Sequence, residues 1–396
     1  MPKEHLLLAH AYTRQHQHLD QSPAGAEYDI AIGAWVLTES AALVVEAEGV
    51  RAAETTPDVK PVADRRKRAA LESDYVGSAR RNPAVVVFAS RSDLGCDYVV
   101  SALRAQGVAY IRLNSEDLPR FNISLDPIAG TVTGDLPGAS FVITQEDLRG
   151  IYFRQPIYAF PIGESPRQEQ LARAQWSAFV RSFLVFDHCR WVNYPPATYL
   201  AQHKAVQLAA AKRLGLAVPP TLIVNGASEL GRVSAPNERI AVKGLDTVFT
   251  REKGIETLGR TSLLTREEII QYDLSSAPFF VQKALENKLD LRVTVVEDQV
   301  WCASITLDGK AIDGDWRWEG ARMQLNEYVL PKDIASRCIE LTRHLGLRFS
   351  GIDLVLWRDE FVFLELNPTG AWATLARSLN LPIAPALARC LIGEVY

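Results

Sequence analysis

Gly351-Ile352-Asp353-Leu354-Val355-Leu356-Trp357, then Arg358-Asp359-Glu360, then Phe361-Val362-Phe363-Leu364-Glu365-Leu366-Asn367-Pro368 is a pair of β-rich runs around a short polar turn. With the turn centred on Asp359, Asp353 stands opposite Glu365, and alternation predicts two faces. Leu354, Leu356, Val362, Leu364 and Leu366 are expected on an aliphatic core face. Asp353, Glu365 and Asn367 are expected on the other. Facing carboxylates repel one another and disfavour pairing. An amide oxygen two residues further on makes a hard cation the economical explanation, and magnesium takes oxygen ligands from a few carboxylates plus substrate phosphates. The bland alternative is a solvated strand face. Val, Trp and Phe interleaved on that face argue for a semi-buried one.

Working upstream, Lys288, Asp290 and Arg292 share one strand face at period two. Arg292 suits bidentate contact with a transferred phosphoryl group. Its plainer role is a salt bridge to Asp290 or to a metal-site carboxylate. Phe279-Phe280-Val281-Gln282-Lys283-Ala284-Leu285-Glu286 is an apolar strand running into a polar segment. Backbone groups of Lys283 and Leu285 can read an adenine edge there, or the crossing is an interdomain hinge. Lys243 ends the apolar run Ile240-Ala241-Val242 beside Gly244 and can reach phosphate oxygens as a point charge; most such lysines merely cap a strand. Lys204, expected inside a helix over Thr198–Leu214, is a second phosphate ligand or a solvated helix residue.

Further upstream, Val85-Val86-Val87-Phe88 reads as a buried strand. A helix capped by Ser92 or Asp93 follows, and Gly107 closes it. Val108–Leu113 is a second strand, which makes a βαβ unit and favours a parallel sheet. Residues 120–155 read as short strands with turns at Gly130, Gly134 and Pro137-Gly138. Gln168–Asp187 reads as one long helix, and Pro331–Leu345 as another. Leu289–Val296 and Val300–Ile305 form an expected hairpin. Residues 1–83 stand apart, as a polar, Arg-, Ala- and Pro-rich extension or linker.

A chain of 396 residues needs two or three domains at ~100–200 residues each. A net charge of −4 supplies no global field for nucleic acid. Five dispersed cysteines form no CxxC pair, so neither a disulfide framework nor a thiolate zinc site is expected. No signal peptide is visible, and no run reaches the ~18 apolar residues of a membrane span. A reducing, cytoplasmic location and no membrane partner are therefore expected.

Taken in order, Lys204, Lys243, Gln282 to Leu285, Asp290-Leu291-Arg292, Asp353 and Glu365-Leu366-Asn367 resemble the ATP-grasp superfamily. More narrowly, residues 84–393 are similar to the ATP-grasp maturases of graspetides, the microviridin-type cross-linked ribosomal peptides. Tyr152-Phe153-Arg154-Gln155-Pro156, Asp315-Trp316-Arg317 and the ending Glu365-Leu366-Asn367-Pro368-Thr369-Gly370-Ala371-Trp372 carry that likeness. The resemblance implies an α/β and α+β ATP-grasp fold behind a non-globular extension (1–83): an N-terminal α/β domain (84–196), a central lid (197–281) and a C-terminal mixed or antiparallel sheet domain (282–396). It implies ATP and Mg2+ as cofactors, with Lys204 and Lys243 on phosphates and Gln282, Lys283 and Leu285 around adenine. Arg292 and Asn367 would steady the phosphoryl group, and Asp353, Glu365 and Asn367 would hold magnesium. Arg154, Asp315 and Arg317 would lie toward a precursor peptide of leader plus core; Gln155 stands where a second basic residue is expected. The implied activity is an ADP-forming ligase that joins Asp/Glu side-chain carboxylates to Ser/Thr hydroxyls or Lys amines. The rivals are a small-molecule carboxylate–amine ligase and an inactive nucleotide-binding module. Gly244, Gly254 and Gly259 suit a flexible flap. Tyr28-Asp29-Ile30, Gly33-Ala34-Trp35-Val36 and Thr55-Thr56-Pro57 resemble such precursors, so the extension is either leader-like or a disordered or loosely docked tail. A homodimer is left open.

Overall fold

The computed structural model describes residues 26–29, 34–37 and 82–393, apart from 137–138, 156–165, 246–248, 253–254, 259–260, 273–276, 311 and 313–322. Of the extension, β1 (Ala26–Asp29) and β2 (Ala34–Leu37) form an antiparallel ladder with Tyr28 opposite Trp35. The expectations for Thr55, Thr56, Gly254, Gly259, Asp315 and Arg317 lie outside the described residues.

The first domain is built on β3 (Val85–Ala89), whose five residues are all buried. Asp93 then caps α1 (Leu94–Ala105), accepting from the Cys96 N–H, and Gly107 ends it at φ +68°. β4 (Tyr110–Asn114) returns beside β3 in parallel. β5 (Asn122–Asp126), β6 (Thr131–Leu136) and β7 (Ala139–Thr144) make a separate antiparallel sheet. Gly134, expected at a turn, is instead inside β6, where a Cβ would come 2.2 Å from the Phe141 ring. β8 (Gly150–Phe153), α2 (Pro166–Ser182) and β9 (Arg190–Val192) complete the unit. The main sheet is wholly parallel, in the order β4-β3-β8-β9.

The expected Thr198–Leu214 helix is two helices, α3 (Pro195–Ala201) and α4 (Lys204–Arg213), broken at Gln202-His203. The central sheet has the order β10-β15-β11-β14, from β10 (Thr221–Val224), β11 (Ile240–Lys243), β14 (Ser262–Leu264) and β15 (Phe279–Lys283). Between its strands lie a small hairpin, β12 (Phe249–Glu252) with β13 (Ile255–Leu258), and a one-turn helix, α5 (Arg266–Ile270). β15 belongs whole to this sheet, so the central unit runs past residue 281.

The last sheet is antiparallel, with the order β18-β17-β16-β19-β20. It comprises β16 (Leu289–Val296), β17 (Gln299–Leu307), β18 (Met323–Glu327), β19 (Phe349–Trp357) and β20 (Glu360–Asn367), with α6 (Lys332–His344) inserted before β19. Leu291, Val293 and Val295 on β16 pack with Ile352, Leu354, Phe363 and Leu366 and with Ile334, Cys338 and Leu341 of α6 in one core. The chain then runs through α7 (Ala373–Leu379) into α8 (Ile383–Ile392). α8 packs on Val296 and Phe349 of the last sheet and reaches back to the first domain as well. Its Leu387 and Leu391 pack with Val85, Val87, Val99 and Leu103 of the first domain.

Candidate functional site

The hairpin β19–β20 pairs Asp353 with Glu365, and Gly351 with Asn367. The route to that pairing differs from the expected one. The turn is Arg358-Asp359, both left-handed at φ 52° and 63°, so Trp357 pairs with Glu360 and the ladder begins one residue off. A bulge then opens: Leu354 pairs with Phe363, Asp353 with Glu365, and Leu364 is the extra residue. The bulge restores the carboxylate pairing and corrects the expected faces. Phe361 and Phe363, not Val362 and Leu364, join the core face with Ile352, Leu354 and Leu366. Val362 and Leu364 turn to the other face. There they form an apolar wall with Leu285, Val355, Ala217 and Trp357.

β16 lies beside β19 with Arg292 opposite Asp353 and Asp290 opposite Val355. Arg292 donates from Nη1 to Asp353 Oδ1 at 2.8 Å and from Nη2 to the Ala371 carbonyl at 3.2 Å. Both side chains of this ion pair are over nine-tenths buried. Removing one partner of such a pair costs ~3–5 kcal/mol, because the other charge stays buried and unpaired. Two glycines make room for the guanidinium: a Cβ on Gly351 or Gly370 would lie 2.6 or 2.5 Å from Nη2. Next along β16's face, Lys288 Nζ bonds Asp290 Oδ1 at 2.6 Å, and both are buried.

β20 is the edge of its sheet, and its outer side is covered. The buried Gln207 of α4 accepts from the Leu366 N–H at 2.9 Å and donates to the Leu366 carbonyl at 2.7 Å. The Ala217 carbonyl takes the Phe363 N–H at 2.8 Å. Lys204 begins α4, three residues before Gln207, so both lie on one side of that helix.

The nucleotide-side candidates cluster on the central sheet. Lys243 pairs with Phe280, its ammonium 6.0 Å from the ring centroid. Gln282 is buried and donates to Thr221 Oγ1 at 3.0 Å. Lys283 Nζ bonds Glu238 Oε1 at 3.0 Å, and its N–H donates to the Pro220 carbonyl at 2.9 Å. Leu285 is on the apolar wall.

Residues 259–391 match the profile of the RimK-like ATP-grasp domain. The chain carries a RimK-like ATP-grasp domain. Over 119 residues it is 27% identical to the tetrahydromethanopterin:α-L-glutamate ligase of Methanocaldococcus jannaschii, covering 29% of this chain and 39% of that enzyme. The ATP-grasp fold extends beyond the matched segment. The macrocyclase MdnC of Microcystis aeruginosa, solved with its precursor peptide MdnA, superposes with a TM-score of 0.67 at 23% identity, over 78% of this chain and 100% of that one. A RiPP-associated ATP-grasp ligase of Chryseobacterium gregarium, solved with ADP and a leader and core peptide, gives 0.71 at 22% identity, over 79% and 97%.

The ATP-grasp hairpin fits a magnesium nucleotide in the chemistry of its donors. Two carboxylates and one amide supply hard oxygen ligands, and the adjoining wall is aliphatic. The hairpin brings Asp353, Glu365 and Asn367 together, and β16 sets Arg292 beside them. Arg154 is elsewhere: it is buried between the first domain and the loop after β20, donating to Asp93 Oδ2 at 2.9 Å and the Thr369 carbonyl at 2.8 Å. Burial alone would raise the Asp93 carboxyl, but the Arg154 charge and hydrogen bond hold it below its ordinary value. Sequence reasoning missed Gln207 and Asn193, amides whose partners are distant backbone groups. No local pattern in the sequence marks either as buried.

Proposed function

We propose that this chain is an ADP-forming ligase that activates Asp or Glu side-chain carboxylates of a precursor peptide and joins them to Ser or Thr hydroxyls or Lys amines. The observation that carries the reading is the buried Arg292–Asp353 pair beside Glu365 and Asn367, against the wall of Leu285, Val355 and Val362. Asp353, Glu365 and Asn367 hold magnesium, which when bound neutralises phosphate charge. Lys204 and Lys243 take phosphate oxygens. Gln282, Lys283 and Leu285 surround the adenine. Arg292, fixed by Asp353 and the Ala371 carbonyl, steadies the transferring phosphoryl group without having to reorganise.

The chemistry balances in two steps. The substrate carboxylate oxygen bonds to the γ-phosphorus and ADP leaves, which turns a poor leaving oxygen into phosphate. The acceptor oxygen or nitrogen then bonds to the acyl carbon, phosphate departs, and the acceptor's proton passes to phosphate or solvent. The family likeness supports a peptide-side role for Asp315 and Arg317, which lie outside the described residues. The peptide reading draws on the macrocyclase, solved with a precursor peptide, and the RiPP-associated ligase, solved with a leader and core peptide.

Incubation with ATP, magnesium and a Thr/Asp/Glu-rich peptide encoded beside the gene tests it. Loss of one water mass per bond formed, with matching ADP release, is the expected result. The similarity to a glutamate ligase supports a second reading, in which the acceptor is a small amine. ADP release with glutamate and a small carboxylate, and none with the peptide, would favour that one.

A further inference from the structure

In the first domain's sheet, β4 lies on one side of β3, and β8 and β9 on the other. The strand order therefore reverses between β3 and β8. The crevice beyond the carboxyl ends of strands at such a point is where open α/β sheets take ligands. Here Asp93 lines it after β3 and Arg154 after β8, and it receives the loop Pro368–Ala371 of the ATP-grasp domain.

That loop is held by its carbonyls. Asn193, directly after β9, donates to the Pro368 oxygen at 2.7 Å. Arg154 Nη1 donates to Thr369 at 2.8 Å and Gly370 at 3.4 Å. Arg292 of the ATP-grasp domain donates to the Ala371 carbonyl. Asn193 also brackets the start of β19. It donates to the Phe349 carbonyl at 2.8 Å and accepts from the Arg348 and Phe349 N–H groups at 2.9 and 3.0 Å. Four consecutive carbonyls are thus fixed by three buried side chains from two domains, and the loop begins at the residue after Asn367. Since Arg292 touches both Asp353 and Ala371, a displaced loop displaces Arg292.

We propose that Arg154 and Asn193 are positioning residues for the phosphoryl-transfer site, holding Asn367 and Arg292 in register from the first domain. The inference rests on the function proposed above, and it reassigns Arg154, which the family likeness places toward the peptide. Arg154→Lys keeps the charge but has a single nitrogen, where Arg154 holds Asp93 through Nε and the loop carbonyls through Nη1; Arg154→Met and Asn193→Ala remove the contacts outright.

The test uses the full chain and three readouts: amide exchange across residues 365–373, calorimetric binding of ADP with and without magnesium, and peptide turnover. For Arg154→Lys the expected result is faster exchange in 368–372 and magnesium-dependent ADP affinity lower by on the order of tenfold. ADP affinity without magnesium is unchanged, and kcat falls while the peptide KM holds. A raised peptide KM at unchanged kcat would make Arg154 a peptide contact and overturn the proposal. Equal loss of both ADP affinities, tracking the melting temperature, would reduce it to a fold contact. If the wild type turns over no peptide, the proposed chemistry fails separately. Exchange and the two ADP affinities then decide the positioning role, and an unchanged loop overturns it.

Discussion

Asp353 neutralises a buried arginine and stands opposite Glu365, and the proposed function asks the same carboxylate to serve as a cation ligand. Substitutions there separate by what they leave behind. Asp353→Ala strands the Arg292 charge and is expected to lower stability by ~3–5 kcal/mol, read from denaturant unfolding. Asp353→Asn keeps an oxygen toward Arg292, so its unfolding loss is smaller while ADP–magnesium binding is still lost in calorimetry. Full ATP turnover by either variant would refute the metal assignment. Gly351→Ala drives a methyl into Nη2 and is expected to cost ~1–3 kcal/mol, most of it relieved when Arg292→Ala is added; additive losses would deny that contact. The sequence carried the Asp353–Glu365–Asn367 constellation because carboxylates in an aliphatic hairpin need a reason. It could not say which of Arg292's two roles applies, because both require the same residue on the same face. Asn193 and Gln207 were illegible for a different reason: an amide that substitutes for a backbone partner leaves no pattern in its own neighbourhood.

Among the elements, the β19–β20 hairpin shows how a correct pairing can be reached by a wrong register. Val362-Phe363-Leu364 are all apolar, so alternation cannot reveal which of them is the extra residue. The two-residue left-handed turn and the bulge offset each other. Deleting Leu364 is expected to keep Asp353 opposite Glu365 and to keep the fold, while removing one side chain from the apolar wall. ADP affinity should fall at near-normal melting temperature; unchanged affinity would mean that the wall does not meet the nucleotide. The break between α3 and α4 has a similar lesson. Helical periodicity runs through Gln202-His203, yet the structure ends one helix there, which sets Lys204 at a helix start and Gln207 against β20.

At the scale of the whole molecule, the opening βαβ unit and the closing antiparallel strands were legible from the alternation of strands and helices, whereas the return of the last helix was not. Nothing local in Ile383–Ile392 says which sheet it covers. Acid should loosen the union of the parts. Glu297 accepts from Arg190 of the first domain and from Arg348 beside β19 at 2.6 Å each. Burial would raise its carboxyl, but Arg348, the Cys390 thiol and Arg190 hold it low. A lowered folded pKa contributes stability that is complete above the unfolded value, ~4.3, and is lost as pH falls through the folded one. Melting temperature should therefore be level down to about pH 5 and fall below about pH 4. Glu297→Gln should lower the plateau and blunt the fall; an identical profile would acquit this contact. Deleting residues 1–83 is expected to spare ADP binding, and a new need for a separate leader peptide would mark the segment as leader-like.

The docking of α8 also bears on synthesis. Val85 and Val87 leave the ribosome long before Leu387 and Leu391, which share their core. The nascent first sheet must then persist with apolar surface bare until α8 emerges, so the protein's yield in cells should depend on holdase chaperones and on translation passing α8.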